Sequence, residues 1–246
     1  MTKHLVIPDV QFKQGVPFSH LTWAGKYIAQ KRPDTIICIG DFVDMESLSQ
    51  YDVGNKSFEG RRYKSDIDAA HKGMELLTKP FKNLKGYHPR MVLTLGNHED
   101  RISRAVEADP KMEGILSLND LQYTKYGWEV IPYLEPIVID GVVYCHYFSS
   151  GIMGRPVTTA SALLTKRHMS AVMGHVQGRQ IAYGTRADGK QITALFVGGF
   201  YQHKENYLYF QGNSQQWHGL WMLHEVKDGS FDEMPVSLQY LKKKFG

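Results

Sequence analysis

Three short apolar runs, each broken by a proline or glycine and then by polar residues, constrain this chain most. Residues 5–8 (LVIP), 35–39 (TIICI) and 91–95 (MVLTL) have the length and apolar content of buried strands. Between them lie helix-period stretches at residues 19–31, where Ser19 is placed to act as the N-cap, and 65–78, stopped by Pro80. Buried strands alternating with helices predict a largely parallel sheet with helices on its faces.

The second half changes character. Residues 136–147 hold Asp140-Gly141 between two β-rich runs, and residues 180–185 and 191–198 flank Asp188-Gly189. Both are hairpin signals. Residues 219–226 and 235–241 continue in the same style, and one helix is expected at about 158–168. No linker, repeat or low-complexity stretch intervenes. Residues 1–246 therefore read as one α/β domain of two β-rich halves packed together with helices outside, a size that buries a substantial core. Residues 205–212, ENYLYFQG, look like a tag-removal protease site with a tyrosine inserted. Strand-patterned sequence follows them, so they read as native.

Composition excludes several classes. With 42% apolar and 22% charged residues, the chain is an ordinary globular one rather than a disordered one. The balance of 29 basic against 25 acidic residues, net +4, is too mild to announce a nucleic-acid binder but permits an anionic substrate. No apolar run reaches membrane-spanning length, and the N-terminus MTKHLVIPDV has no signal-peptide apolar region, so no membrane partner is expected. Cys38 and Cys145 lie in strand-like runs and read as buried reduced thiols, which points to the cytoplasm. Cys145, adjacent to His146 in a strand, should face the other way.

Polar residues gather at the strand ends. Asp9 and Gln11 follow the first strand, Asp41 and Asp44 the second, and Asn97 and His98 the third. His146 closes VVYCHY, and His175 and Gln177 follow AVMG. In open α/β sheets, ligands bind at the carboxyl ends of the strands. Gly40, Gly96 and Gly174 introduce three of these clusters and let the backbone turn sharply. Any one polar residue here would be an ordinary turn or cap. Five strand ends in order, each delivering a metal-competent side chain, are not.

In that order, Asp9-x-Gln11, Gly40-Asp41-x-x-Asp44, Gly96-Asn97-His98-Glu99, His146 and Gly174-His175-x-Gln177 resemble the motifs of the calcineurin-like metallophosphoesterase family. That family carries DxH, GDxxD, GNH(E/D), a lone His and GHxH. The tail containing LWMLHEV is more loosely similar to bacteriophage versions. The resemblance implies a β-sandwich of two mixed sheets flanked by helices, holding two divalent metals. Asp41 would bridge them, Asn97, His146 and His175 would complete the second site, and Asp9, Gln11 and Gln177 would belong to the first. His98 would face the scissile phosphate and protonate the leaving oxygen, with Asp44 holding its other ring nitrogen. Water activated by the metals would attack in line. Glu99 and Asp100 are expected to begin the next helix, where acidic residues suit the dipole, without a catalytic role.

The chain departs from the family at two positions. Gln11 and Gln177 stand where the family has histidine, and both fall on the first site. An amide oxygen is a harder ligand than imidazole and suits Mn or Mg better than Zn, Fe or Ni. The first site should therefore be weak and Mn the best-suited metal. The alternative is that the two glutamines hydrogen-bond each other and the first metal is absent.

Candidate phosphate contacts are Arg61 and Arg62, with Lys64, in the loop after GDFVD, Arg155 in SSGIMGRP, and Arg179 after GHVQ. The run Lys79, Lys82, Lys85 and Arg90 reads as a solvated face. Three activities fit: a phosphodiesterase or nuclease acting on DNA, RNA or nucleotides, a phosphomonoesterase similar to protein phosphatases, and a non-enzymatic binding module with a decayed first site. The basic loops favour the first.

Overall fold

A computed structural model describes residues 1–204 and 215–246, and the segment 205–212 noted above lies outside them. In chain order the strands are β1 (Thr2–Ile7), β2 (Thr35–Cys38), β3 (Arg90–Thr94), β4 (Glu129–Ile131), β5 (Ile137–Ile139), β6 (Val142–Cys145), β7 (Ala171–Met173), β8 (Arg179–Thr185), β9 (Gln191–Val197), β10 (Gly219–Lys227) and β11 (Ser230–Ser237). The helices are α1 (Ser19–Lys31), α2 (Tyr63–Thr78), α3 (Arg101–Ala108), α4 (Ala160–Arg167) and α5 (Leu238–Phe245).

Two mixed sheets result. The first has the order β11-β10-β1-β2-β3-β4, with β1 to β4 parallel and β10 and β11 antiparallel. The second has the order β5-β6-β7-β9-β8, with β6, β7 and β9 parallel and antiparallel strands at both edges.

Strand alternation sorts the core into three layers. Val6, Ile37, Ile39, Val92, Trp221 and Leu223 meet Val142, Tyr144, Val172, Leu195 and Val197 between the sheets. Their neighbours Leu5, Ile7, Ile36, Cys38 and Leu93 point outward, against Trp23, Tyr27 and Ile28 of α1 and Ala70, Met74 and Leu77 of α2. On the far side, Val143, Cys145, Ala171, Met173 and Phe196 pack on Leu163 and Leu164 of α4. Cys145 thus faces away from the site, and both cysteines are buried and free. Among the described residues no helix is long and apolar enough to cross a membrane.

Two local expectations need correction, at Ser19 and at residues 235–241, while the helix expected at about 158–168 forms. Ser19 is the first residue of α1 rather than its cap; Phe18 holds the N-cap position, and the Ser19 hydroxyl donates to Gln202 Oε1 at 3.0 Å. Thr159 caps α4, its hydroxyl accepting the Ala162 N–H at 3.2 Å. The strand expected at 235–241 ends at Ser237, whose hydroxyl caps α5 by accepting the Tyr240 N–H. Leu238, Leu241 and Phe245 then turn to the core at helical spacing, which outweighs the β-rich composition before them.

Candidate metal centre

Strands β1, β2, β3, β6 and β7 run parallel within their sheets, and the loops after them converge at one end of the sandwich. The ends of β2, β6 and β7 are linked directly: His146 Nδ1 donates to the Ile39 carbonyl at 2.8 Å, and the Gly174 N–H to the His146 carbonyl at 2.9 Å. Of the three motif glycines, only Gly40 adopts a left-handed backbone, with φ of 96°. Gly96 and Gly174 are demanded by space instead. A Cβ at Gly96 would lie 2.1 Å from Asp41 Oδ1, and one at Gly174 would lie 2.4 Å from Asp9 Oδ1.

Non-glycine residues carry the conformational cost. Gln11, Asp41, Met45 and His175 have φ of 45°, 49°, 51° and 62°. Left-handed backbone at such residues persists only where surroundings impose it, and it gathers at functional sites. Three of the four are candidate ligands.

The second site assembles around Asn97. Its Oδ1 lies 2.9 Å from His146 Nε2 and 2.8 Å from His175 Nδ1, and Asp41 Oδ2 is 3.4 Å from His146 Nε2. One ligand atom each from Asp41, His146 and His175 fall within 4.8 Å of one another, close enough to hold a single ion. His146 commits its Nδ1 hydrogen to a carbonyl, which leaves Nε2 as the ligating edge, the usual support for a metal-binding imidazole.

The first site is arranged differently. Asp9 is fully buried and accepts the His175 N–H on its two oxygens at 3.1 and 3.0 Å, while Gln177 Nε2 donates to Asp9 Oδ2 at 2.9 Å. Gln11 Oε1 and Gln177 Oε1 are both buried without a hydrogen-bond partner. The glutamines are therefore not bonded to each other. As placed, Gln177 offers its NH₂ to Asp9, and exchanging the two ends of the amide would present the oxygen.

Charge is unevenly held. Burial pushes Asp9 up to about 7, against the pull of His146. Burial also raises Asp41, but the imidazoles of His146 and His98 outweigh it and hold the carboxyl well below its usual range. Burial lowers His146, and the Asp41 carboxylate reverses this and lifts it to about 9. His175 is lowered to about 4 by burial and by His146 beside it.

His98 sits at the cavity edge. Its Nδ1 is 2.9 Å from both Asp44 Oδ1 and the Asp44 carbonyl, and its Nε2 is 3.7 Å from Asp41 Oδ2. Asp44 also pairs with Lys13 Nζ at 2.7 Å and Arg101 Nη1 at 3.2 Å. Despite burial, the contacts from His98 and Lys13 keep Asp44 far below the ordinary carboxylate range.

Sequence reasoning missed Glu99. The helix begins at Arg101 with Asp100 at the N-cap, so Glu99 lies before it. Its buried carboxylate accepts the backbone N–H groups of Gly96 (2.8 Å), Asp41 (3.0 Å), Phe42 (2.8 Å) and Val43 (3.3 Å), and the Tyr123 hydroxyl at 3.2 Å. One side chain thus fixes the loops after β2 and β3 to each other. Its place in GNHE was the available signal.

A cavity of about 590 Å³ opens over the centre and is lined by Gln11, Asp41, Asn97, His98, His175, Gln177 and Arg179, with Gln180, Gln215 and Gln216 beyond. Asp9, Asp44 and His146 are not in the lining but contact residues that are, Gln177, His98 and Asn97 respectively. The Arg179 guanidinium rests over the Trp217 ring, 5.4 Å from its centroid. Arg155 is exposed in the loop between β6 and α4, outside the cavity lining, and its carbonyl closes a turn with the Ser150 N–H. Arg61 pairs with Asp52 at 2.6 Å and Glu46 at 3.5 Å, and Arg62 donates to the Arg61 carbonyl. A cavity of about 670 Å³ between α4 and the β8–β9 hairpin is lined by Leu164, Arg167, His168 and Arg186 and lies apart from these ligands.

Two mixed sheets with helices outside, and carboxylate, imidazole and amide ligands where the strand ends meet, define an α/β sandwich with a candidate metal centre. No protein-family model and no curated protein matches the chain. Among solved structures, the chain is similar to a dimetal phosphatase from Danio rerio over 96% of both chains, at 10% identity and a TM-score of 0.48. A second solved structure aligns with 96% of this chain and 99% of its own length, at 13% identity and a TM-score of 0.39. What the site can do follows from its own residues.

Proposed function

We propose that this chain is a divalent-metal-dependent phosphoester hydrolase, acting on phosphodiesters of nucleic acid or nucleotides. The convergence of Asp41, His146 and His175 within 4.8 Å, around Asn97 and beside His98, carries the reading. Asp41, Asn97, His146 and His175 would hold the second ion. Asp9, Asp41, Gln11 and a turned Gln177 would hold the first, the Gln11 amide oxygen, buried without a partner, being the fit for a hard cation. Bound ions supply positive charge at the phosphoryl oxygens and acidify the attacking water.

The remaining steps belong to side chains. His98 delivers a proton from Nε2 to the leaving oxygen. Asp44, kept ionised by Lys13, fixes the imidazole through Nδ1. Arg179 meets the phosphate charge at the wall. The cavity of about 590 Å³ is lined by Gln180, Gln215 and Gln216 as well as by the candidate ligands, and that room for a second esterified group supports the diester reading. Buried free thiols at Cys38 and Cys145 support a reducing, cytoplasmic setting.

Bis(4-nitrophenyl) phosphate and 4-nitrophenyl phosphate, each assayed with Mn, Mg, Zn and Ni, test the proposal. Faster diester hydrolysis, strongest with Mn, is expected. Monoester hydrolysis alone would replace it with a phosphomonoesterase, and activity on neither with a binding module. Activity on DNA should also fall steeply with salt, as counterion release requires, while the small diester responds little.

A further inference from the structure

Arg101, the first residue of α3, has no part in the reading above. Its side chain is 13% exposed and reaches back into the centre. Nη1 donates to the Asp44 carbonyl at 2.8 Å and to the Met45 carbonyl at 3.3 Å, spanning the left-handed kink at Met45. Nη2 lies 3.4 Å from Nε2 of His98, a residue that lines the cavity. Lys13 holds Asp44 Oδ2 at 2.7 Å, and Arg101 Nη1 reaches Asp44 Oδ1 at a longer 3.2 Å, which leaves Nη2 turned to His98.

The placement of hydrogens makes the Nη2 contact informative. Nδ1 of His98 faces two acceptors at 2.9 Å, the Asp44 carboxylate and carbonyl, so Nδ1 carries a hydrogen. Without a hydrogen on Nε2, that nitrogen accepts from Arg101. Delivering a proton requires a hydrogen on Nε2, and then two donors face each other across 3.4 Å. Only an acceptor set against both satisfies them. Asp41 Oδ2, 3.7 Å from Nε2, puts this spot beside the candidate metal ligands.

We propose that Arg101 Nη2 and His98 Nε2 together clasp the departing ester oxygen, making Arg101 a further catalytic residue of the centre. The inference rests on the phosphoesterase reading. Water oxygen bonds to phosphorus as the ester P–O bond breaks, and the bonding pair leaves with the ester oxygen. That oxygen takes the proton from His98 Nε2. Arg101 keeps its own protons and donates a charge-assisted hydrogen bond to the growing negative charge. The surplus proton of the water passes to solvent, from which His98 is reprotonated.

The test uses full-length, metal-loaded protein. Arg101→Ala should lower kcat about 10²-fold, the usual loss for one donor to a developing oxyanion, with a smaller change in KM and unchanged metal content. Added guanidinium should restore part of the rate, and Arg101→Lys should recover little, since a point charge does not reproduce the planar fork. Calorimetry with inorganic phosphate should show about tenfold weaker binding in Arg101→Ala. Wild-type kcat and phosphate affinity in Arg101→Ala would overturn the proposal. So would a loss of rate without guanidinium rescue, accompanied by displaced His98 ring resonances, which marks a merely structural role. Should the wild type hydrolyse no phosphoester, the phosphoesterase reading fails, and phosphate affinity alone decides: unchanged affinity in Arg101→Ala overturns the contact, weakened affinity upholds it.

Discussion

The Glu99 carboxylate accepts the backbone N–H of Asp41 at 3.0 Å across a separation of 58 residues in the chain. Asp41 is thereby held in its left-handed conformation with its carboxylate turned to the imidazoles. Glu99→Gln keeps the volume but turns an NH₂ group toward N–H donors that need an acceptor. It should cost about 1–3 kcal/mol of stability, the penalty for buried groups left unpaired. Urea unfolding of the two proteins measures it, and an unchanged midpoint would remove Glu99 as the anchor of these loops.

His98 is placed to act on substrate without holding metal. His98→Ala should lower turnover by about 10²–10⁴-fold and leave bound metal unchanged. Asp44→Asn should behave as a milder form, because the ring keeps the Asp44 carbonyl as a partner. Turnover measured alongside elemental analysis separates the roles; loss of metal from His98→Ala would make it a ligand instead.

The candidate ligands were legible as a set because each sits just past a strand, where apolar patterning and glycine mark the position. Asp41, His146 and His175 bring one atom each within 4.8 Å, and Asn97 Oδ1 lies beside both imidazoles. Glu99 was opaque. Read locally it is an acid ahead of a helix, and its partners on the β2 loop are visible only after folding. Arg61 was opaque for a related reason, since Asp52 and Glu46 in its own loop compete for it. The closing helix was missed because Pro235 to Ser237 do pair in a sheet, which masked the helical spacing after them.

Acid sensitivity should have a source outside the centre. His20 is 1% exposed, and burial, helped by His203 and His218, lowers it to about 4 from an ordinary 6.5. Above pH 6.5 it is neutral in both folded and unfolded chains. Between about 6.5 and 4 the unfolded chain binds a proton that the fold refuses, so stability falls as pH drops through this window. His20→Phe should flatten that fall by up to about 3 kcal/mol. Equal slopes of unfolding free energy against pH in both proteins would contradict it.

Gln11 and Gln177 should set the metal preference of the first site. Gln11→His with Gln177→His should tighten that site and shift it from Mn toward Zn or Fe, because imidazole binds late transition metals better than an amide oxygen. Each single change should do less, one amide remaining. Activity profiles across metals report the shift, and a double variant with the wild-type preference would show that these glutamines do not tune the site.

Calorimetric titration of metal-stripped protein with Mn, in the wild type and in His146→Ala, tests the metal centre most directly. One tight and one weak binding event are expected in the wild type, with the tight event lost in His146→Ala. Absence of binding in the wild type, or a tight event that survives His146→Ala, would contradict the assignment of Asp41, Asn97, His146 and His175 as its ligands.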